Sequence, residues 1–188
     1  MSLKMEKREK HSRLIIFIFF IPFLLWIILQ VFAPIALPYS SASDLTGMVG
    51  VSDNQNTINN MPAPWNTVYG VGDRMCHEKA ERSFFINGNQ MPFCSRCTAI
   101  WLGLALGLGF LVFFKLPLNE KFIFVIIIGL IPIGIDGVGQ LVGLWESNNV
   151  IRVITGLLIG IVCGLSIGLI IDEIRELIIE RKKDKKVY

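Results

Sequence analysis

Four apolar blocks, each about as long as a bilayer is thick, leave this chain very few ways to fold. They run from Leu14 to about Leu37, from about Thr98 to Phe114, from Phe122 to about Leu144 and from Val150 to Ile171. A helix needs roughly 20 apolar residues to cross the hydrocarbon core. The second block is short, and Pro92 and Phe93 extend it toward the interface. In lipid only helices and closed barrels satisfy every backbone N–H and C=O. None of the blocks alternates with the period of two that a barrel strand would show. The expectation is an all-α membrane protein: four transmembrane helices with an external loop domain that carries a short hairpin. At 188 residues, 53% of them hydrophobic, the chain is one domain's worth of membrane protein.

The first block has a second reading. Its basic start and the Ser40-Ser41-Ala42 that follows it resemble a secretory signal with its cleavage site. Signal cores are about 7–15 residues long, shorter than this block, so a retained anchor is expected.

The basic residues divide unevenly. Lys4, Lys7, Arg8, Lys10 and Arg13 lie at the start, Lys115 and Lys121 lie between the second and third blocks, and Arg175, Arg181, Lys182, Lys183, Lys185 and Lys186 follow the fourth. These are 13 of the 18 Lys and Arg residues, and four spans put all three segments on one side. The positive-inside rule makes that side cytoplasmic. The net charge of +3 then reports topology. A nucleic-acid partner would call for a basic face with groove-reading or stacking side chains, which the sequence lacks. The closing RKKDKK reads as a solvated run beside the membrane, within reach of anionic lipid.

The organisation that follows is a cytoplasmic basic tail (1–13), a first transmembrane helix (14–37), an external flexible loop (38–70), an external Cys/His motif (71–97), a three-helix membrane core (98–171) and a cytoplasmic charged tail (172–188). Residues 39–70 are rich in Ser, Asn, Gly and Pro without periodicity, which reads as loosely ordered chain. Small residues at four-residue spacing mark the membrane core: Gly156, Gly160, Gly164 and Gly168 in the last helix, Gly103 and Gly107 in the second, Gly139 and Gly143 in the third. This spacing lets backbones approach closely, here within one bundle.

Residues 76–97, CHEKAERSFFINGNQMPFCSRC, hold three of the four cysteines and one of the two histidines. Asn87-Gly88 is the favoured pair for a two-residue hairpin turn, because both positions tolerate positive φ. A hairpin centred there sets Ile86 opposite Asn89, Phe85 opposite Gln90 and Arg82 opposite Phe93, and returns Cys94 and Cys97 to Cys76 and His77. The alternative is that SFFI dips into the interface and the turn is an ordinary loop. Three sulfurs and one imidazole, from Cys76, His77, Cys94 and Cys97, make a tetrahedral zinc shell. Neighbouring Cys76 and His77 must bend to reach one ion, which would leave one of them outside.

Two other readings of the cysteines stay open. A Cys-x-x-Cys at a helix start beside Arg96 has lowered thiol pKa values, so Cys94 and Cys97 could serve a thiol–disulfide oxidoreductase with Cys76 as the shuttle thiol. The layout resembles the vitamin K epoxide reductases in its four helices and helix-end Cys-x-x-Cys, with one loop cysteine only. The plain reading is a structural disulfide, Cys94–Cys97 or Cys76–Cys94. Cys163 sits among small residues of the last block and reads as a packing residue.

Polar groups inside the membrane are costly and so point to function or to pairing. Asp136 and Gln140 share one face of the third helix. Asp136 lies about 21 Å along it, in the outer half of the bilayer. Glu146, Ser147, Asn148 and Asn149 follow in the next turn, and Arg152 opens the last helix. Asp136, Glu146 and Arg152 are the candidate catalytic groups, with Asp136 and Glu146 as proton carriers. Arg82, Arg96, Gln140, Asn148 and Asn149 are the candidate substrate contacts. The structural alternative is an Asp136–Arg152 pair tying the last two helices together.

The runs CHEKAERSFFINGNQMPFCSRCTAI and IPIGIDGVGQLVGLWESNNVIRVITG resemble a domain-of-unknown-function family of small prokaryotic, largely archaeal, membrane proteins, over roughly residues 70–170. The resemblance implies membrane location and a compact helical core. It also implies that the position of Glu78 is often Gln, that of Ala99 often Gly, and that Asp can stand at Cys97. Asp can replace Cys as a zinc ligand but not in a dithiol, so the resemblance favours metal.

No Gly-rich phosphate loop stands at a strand–helix junction, and no serine sits in a nucleophile elbow. Arg74, Lys79, Arg82 and Arg96 make the outer segment cationic, able to hold a phosphate or carboxylate headgroup. The expected function is therefore an integral membrane protein with an external zinc-type Cys/His site, acting on an anionic lipid-like substrate in the bilayer. The alternatives are the oxidoreductase and a non-enzymatic bundle, either a transporter or a complex subunit.

Overall fold

The computed structural model describes residues 2–184. The basic tail residues Lys185 and Lys186, and the side chains of Lys4, Lys7, Arg8, Lys10, Lys182 and Lys183, lie outside the described residues. In chain order the elements are α1 (Ser2–Ala36), α2 (Gln55–Asn59), α3 (Trp65–Met75), a 3₁₀ turn (Ala80–Arg82), β1 (Ser83–Ile86), β2 (Asn89–Cys94), α4 (Ser95–Phe113), α5 (Glu120–Leu141) and α6 (Asn149–Asp184). Four helices are long and apolar enough to cross a membrane, over Arg13–Ala36, Ser95–Phe113, Glu120–Leu141 and Asn149–Ile179. Their outward faces carry Phe17, Leu25, Phe32, Phe124, Ile128 and Ile154, the surface that lipid rather than water would cover.

The closest helix pair is α4 with α6. A Cβ added to Gly103 would lie 2.6 Å from the carbonyl oxygen of Leu157, and one added to Gly160 would lie 2.4 Å from that of Ile100. The two backbones are in contact, so the glycine spacing serves packing within the chain. The α1 helix lies on α4, and α5 lies on α6. At one end Ile16, Leu108, Leu111, Phe122 and Leu169 close the core. Gly143 works differently from the packing glycines. Its φ of +73° makes it the left-handed residue that stops α5, so the helix ends at Leu141 rather than running to about Leu144.

At the other end, residues 38–94 fold into a cap. The sequence reading expected a loosely ordered loop over 38–70. Instead, α2 and α3 form there, and Leu45, Ile58, Met61, Val68 and Tyr69 bury a small core against Ala33 and Leu37 of the α1 end. The apolar residues of this segment are too widely spaced to show a period. They are brought together by the turns between them.

The hairpin sits on the end of α1. Asn87 and Gly88 have φ of +54° and +69°, as a two-residue turn of this kind requires. Phe85 faces Gln90 and Ile86 faces Asn89, as expected, but Ser83 then faces Cys94, and Arg82 does not face Phe93. The irregularity falls where β2 contains Pro92, which has no N–H to give the ladder. A helix leaves its last carbonyls unpaired, and the hairpin fills that need. The Asn89 amide donates to the Pro34 and Pro38 carbonyls, at 2.9 Å each, and that of Asn87 donates to Leu37 at 3.0 Å.

Candidate metal centre

Cys76 is delivered by the packing of α3 on β2. Gly72 makes this possible, since a Cβ there would lie 1.9 Å from the Pro92 carbonyl oxygen. The helix ends three residues later at Met75, and Cys76 leaves it in extended conformation with its N–H on the Gly72 carbonyl. Cys94 ends β2 and precedes the first turn of α4, which carries Cys97. The sulfurs of Cys76, Cys94 and Cys97 lie within 4.8 Å of one another. Tetrahedral zinc with Zn–S near 2.3 Å would hold its sulfurs about 3.8 Å apart, so the trio fits such an ion with small adjustments. The Cys94 backbone N–H donates to the Cys76 sulfur at 3.3 Å. His77 is exposed and is not in the trio, though it lines the space beside it. Cys163 lies apart, within α6.

The three thiols differ. The Cys94 thiol is held well below its ordinary value, chiefly because the thiols of Cys76 and Cys97 donate to it. The N–H groups of Cys97 and Arg96, at the start of α4, add to this. Cys76 is pushed up, first because it donates to Cys94 and then by burial. The trio's negative charge therefore sits on Cys94.

The trio forms one wall of a cavity of about 300 Å³ that is also lined by His77, Lys79, Arg82, Arg96, Gln140 and Arg152. A larger groove of about 440 Å³, between the α1 end and α2, has no titratable group in its lining. Asp136 organises one side of the charged cavity. Its carboxylate accepts from Arg96, from Ser147, from Gln140 at 3.1 Å and from the Trp145 indole at 3.4 Å. The expected Asp136–Arg152 pair does not form. Arg96 reaches Asp136 first, and Arg152 donates instead to the Gln140 side chain at 3.3 Å. Arg82 pairs with exposed Glu146 at 3.0 Å. Asn148 accepts from the Ile151 N–H as the cap of α6, and Asn149 accepts from Ser95 at 2.9 Å. These two asparagines hold the backbone, and neither is among the residues lining the cavity.

Sequence reasoning missed a buried polar knot behind the trio. Glu78 is 0% exposed and Asp73 1% exposed. The Asn54 amide donates to Asp73 at 2.7 Å and to Glu78 at 3.2 Å. Burial pushes the Glu78 carboxyl up to about 9, with the charges of Asp73 and Cys76 adding to the effect and the Asn54 bond opposing it. Burial, then Glu78, also raises the Tyr69 phenol, which donates to the Gln90 carbonyl at 2.7 Å. Gln90 itself is fully buried, accepting from the Leu45 N–H and donating to Ser83 and to the Glu78 carbonyl. The one sequence signal was Asn-Gln directly after a turn, in a strand that buries every residue before Cys94.

Four apolar helices with a cysteine-bearing cap at one end define a multi-pass membrane protein. The chain belongs to the family described as "Predicted membrane protein (DUF2085)", whose model matches residues 76–166. The match begins on Cys76 and takes in the whole trio, the hairpin, α4, α5 and half of α6. The chain is 41% identical over 99 residues to an uncharacterized protein of Methanocaldococcus jannaschii, covering 50% of this chain and 61% of that one. It is 44% identical over 89 residues to an uncharacterized protein of Methanothermobacter thermautotrophicus, covering 46% of this chain and 78% of that one. The chain thus spans less than two thirds of the Methanocaldococcus protein. No solved structure matches it.

Proposed function

We propose that Cys76, Cys94 and Cys97 hold a zinc-type ion at the outer face of the cell membrane, and that the site works on an anionic lipid-like substrate. The observation that carries this reading is the convergence of three sulfurs on the wall of a cavity lined by cations. Structural zinc sites close all four positions with protein, whereas reactive ones leave one to water or substrate. Three sulfurs facing a cavity fit the second kind. Bound there, a zinc-type ion supplies a Lewis acid and a water acidic enough to react at neutral pH.

The chain's own residues divide the remaining work. Arg82, Arg96 and Arg152 draw the anionic group in. Asp136, whose oxygens accept from four side chains, is a positioning residue for Arg96 rather than a proton carrier. Glu146 is exposed and steadies Arg82, and His77 stands on the cavity wall beside the trio. The basic ends and the Lys115–Lys121 segment support an orientation with both termini in the cytoplasm and the cap outside. Elemental analysis of the detergent-purified protein tests the reading. About one zinc per chain, lost in Cys94→Ser, is expected, and a chain that takes up no metal would remove it.

A second reading rests on the lowered Cys94 thiol at the start of α4. As a thiolate, Cys94 would attack a partner disulfide to form a mixed disulfide. Cys97 would then displace the partner, leaving a Cys94–Cys97 bond and two partner thiols. Reversible loss and recovery of two free thiols, with no metal bound, would favour this chemistry.

A further inference from the structure

Three guanidinium groups line the cavity beside the cysteines, and they come from three separate elements. Arg82 ends the 3₁₀ turn, Arg96 lies in the first turn of α4, and Arg152 in the first turn of α6. Each is fixed through a single Nη2 atom, to Glu146, Asp136 and Gln140 respectively. A guanidinium has five N–H donors, so most remain to give. The Nε atoms of Arg82 and Arg96 are buried without a hydrogen-bond partner, that of Arg82 lying 4.0 Å from the Glu81 carboxylate.

Arg152 is the clearest case. It is 3% exposed and its acceptor is a neutral amide. No carboxylate pairs with it among the described residues. A buried charge without a counter-ion is costly, and at the end of a membrane helix it marks a place where an anion is expected.

The charge balance gives the ligand's sign. Glu146 and Asp136 offset Arg82 and Arg96. A lone Cys94 thiolate contributes one negative charge, and so do three thiolates around a divalent ion. Glu81 adds a third carboxylate at half-buried Arg82, so the cation buried without a paired carboxylate is Arg152. A phosphate monoester, with a charge of about −1.5 to −2 near neutrality, has the sign this buried cation calls for. Three guanidinium forks also ask for three acceptor oxygens. A phosphate monoester offers them and a carboxylate has only two.

We infer that Arg82, Arg96 and Arg152 clamp a phosphate monoester group, carried on a lipid or free, in the cavity beside the cysteine trio. The inference rests on the anionic-substrate reading of this cavity and names its chemistry, but it does not require the ion. The clamp lies where α4, α5 and α6 reach the cap, with Val49 and Met75 on the same cavity wall.

The experiment is calorimetric titration of the detergent-purified full chain, stripped of metal with EDTA. The probes are inorganic phosphate, dihexanoyl phosphatidate and dihexanoyl phosphatidylcholine. Phosphatidate is expected to bind, and phosphatidylcholine, whose phosphate is a diester, to bind far more weakly. Arg152→Gln and Arg96→Gln are each expected to weaken phosphatidate by on the order of tenfold to a hundredfold. Arg82→Gln, at the half-buried rim, should weaken it less. Arg152→Gln removes an unpaired buried charge and should melt no lower than the wild type, so loss of binding will not mean loss of fold. Equal binding of inorganic phosphate would assign a free phosphate source, and phosphatidate alone a lipid source. No binding by either, or binding unchanged in all three variants, would overturn the clamp. Zinc content, measured separately, should be unchanged in Arg152→Gln, so failure of the metal centre and failure of the clamp give different results.

Discussion

Arg96, in the first turn of α4, closes an ion pair with Asp136, 40 residues later near the end of α5. The two helices meet mainly through α6, so this pair is a direct tie between them at the cap end. Asp136 is nearly buried and Arg96 about a quarter exposed. Breaking a fully buried pair costs about 3–5 kcal/mol, and the exposure of Arg96 reduces that to about 2 kcal/mol for Asp136→Asn. The double variant Arg96→Met, Asp136→Leu should recover most of the loss, because neither charge is left alone. Thermal unfolding in detergent measures both. Single variants within about 0.5 kcal/mol of the wild type would show that the tie carries no stability.

The charge carried by Cys94 predicts its reactivity. An ordinary thiol near pKa 8.5 loses most of its thiolate between pH 8 and pH 6, and its alkylation slows by about 75-fold. A lowered pKa keeps the thiolate as pH falls, so Cys94 should slow by less than about threefold over that interval. Cys76→Ala removes one of the two thiols that donate to it and should restore part of the ordinary pH dependence. Peptide mass spectrometry after timed iodoacetamide treatment reads each cysteine separately. Added zinc should protect Cys76, Cys94 and Cys97 together. Protection of Cys94 alone would argue against a shared ion.

The parts that were legible beforehand share one property: their signals are local. Four spans show as apolar length, the hairpin shows as Asn87-Gly88, and Cys94-x-x-Cys97 shows as spacing. What was misread depends on distant contacts. Residues 38–70 look like a linker because Leu45, Ile58, Val68 and Tyr69 find their partners on α1 and β2 rather than on each other's periodic faces. Asp136 reads from sequence as a candidate proton carrier, with pairing to Arg152 as the alternative; α4 supplies the cation it pairs with, and no spacing within α5 and α6 could show that. The burial of Glu78, a position named only as one often held by Gln, went unread because a glutamate two residues after a cysteine carries no sequence mark of burial.

Gly160 tests whether the α4–α6 contact sets the geometry of the cavity. An added Cβ would sit 2.4 Å from the Ile100 carbonyl oxygen and 2.9 Å from the Gly103 Cα, both backbone atoms that cannot turn aside. Gly160→Ala should cost about 1–3 kcal/mol as overpacking, despite the better helix propensity of alanine. Gly134, in α5, has open space where a Cβ would go, so Gly134→Ala is the matched control and should be neutral or stabilising by up to about 1 kcal/mol. Detergent melting curves of the pair decide the matter. Equal effects at the two positions would mean the close approach does not constrain the bundle.

Glu78 makes stability depend on pH with a sign opposite to that of a salt-bridged carboxylate. The fold holds this buried group in its neutral form up to about pH 9, while in the unfolded chain it ionises near its ordinary value of 4.5. The protonated carboxyl contributes its stability in full below about pH 4.5. Between there and pH 9 the unfolded chain gains by releasing the proton and the folded chain cannot follow, so the contribution declines and is lost as the pH climbs through the folded value. The slope for one group is at most about 1.4 kcal/mol per pH unit. Glu78→Gln keeps an acceptor for Asn54 and has no proton to lose. It should match the wild type within about 1 kcal/mol at pH 5 and exceed it at pH 9. Titrating groups away from Glu78 contribute equally to both proteins, so the difference between their unfolding free energies at pH 5, 7 and 9 reports Glu78 together with its coupling to Tyr69, Asp73 and Cys76. Two curves that stay parallel over that range would mean the carboxyl is already ionised in the fold, and the buried knot of Asn54, Asp73 and Glu78 would then hold two negative charges.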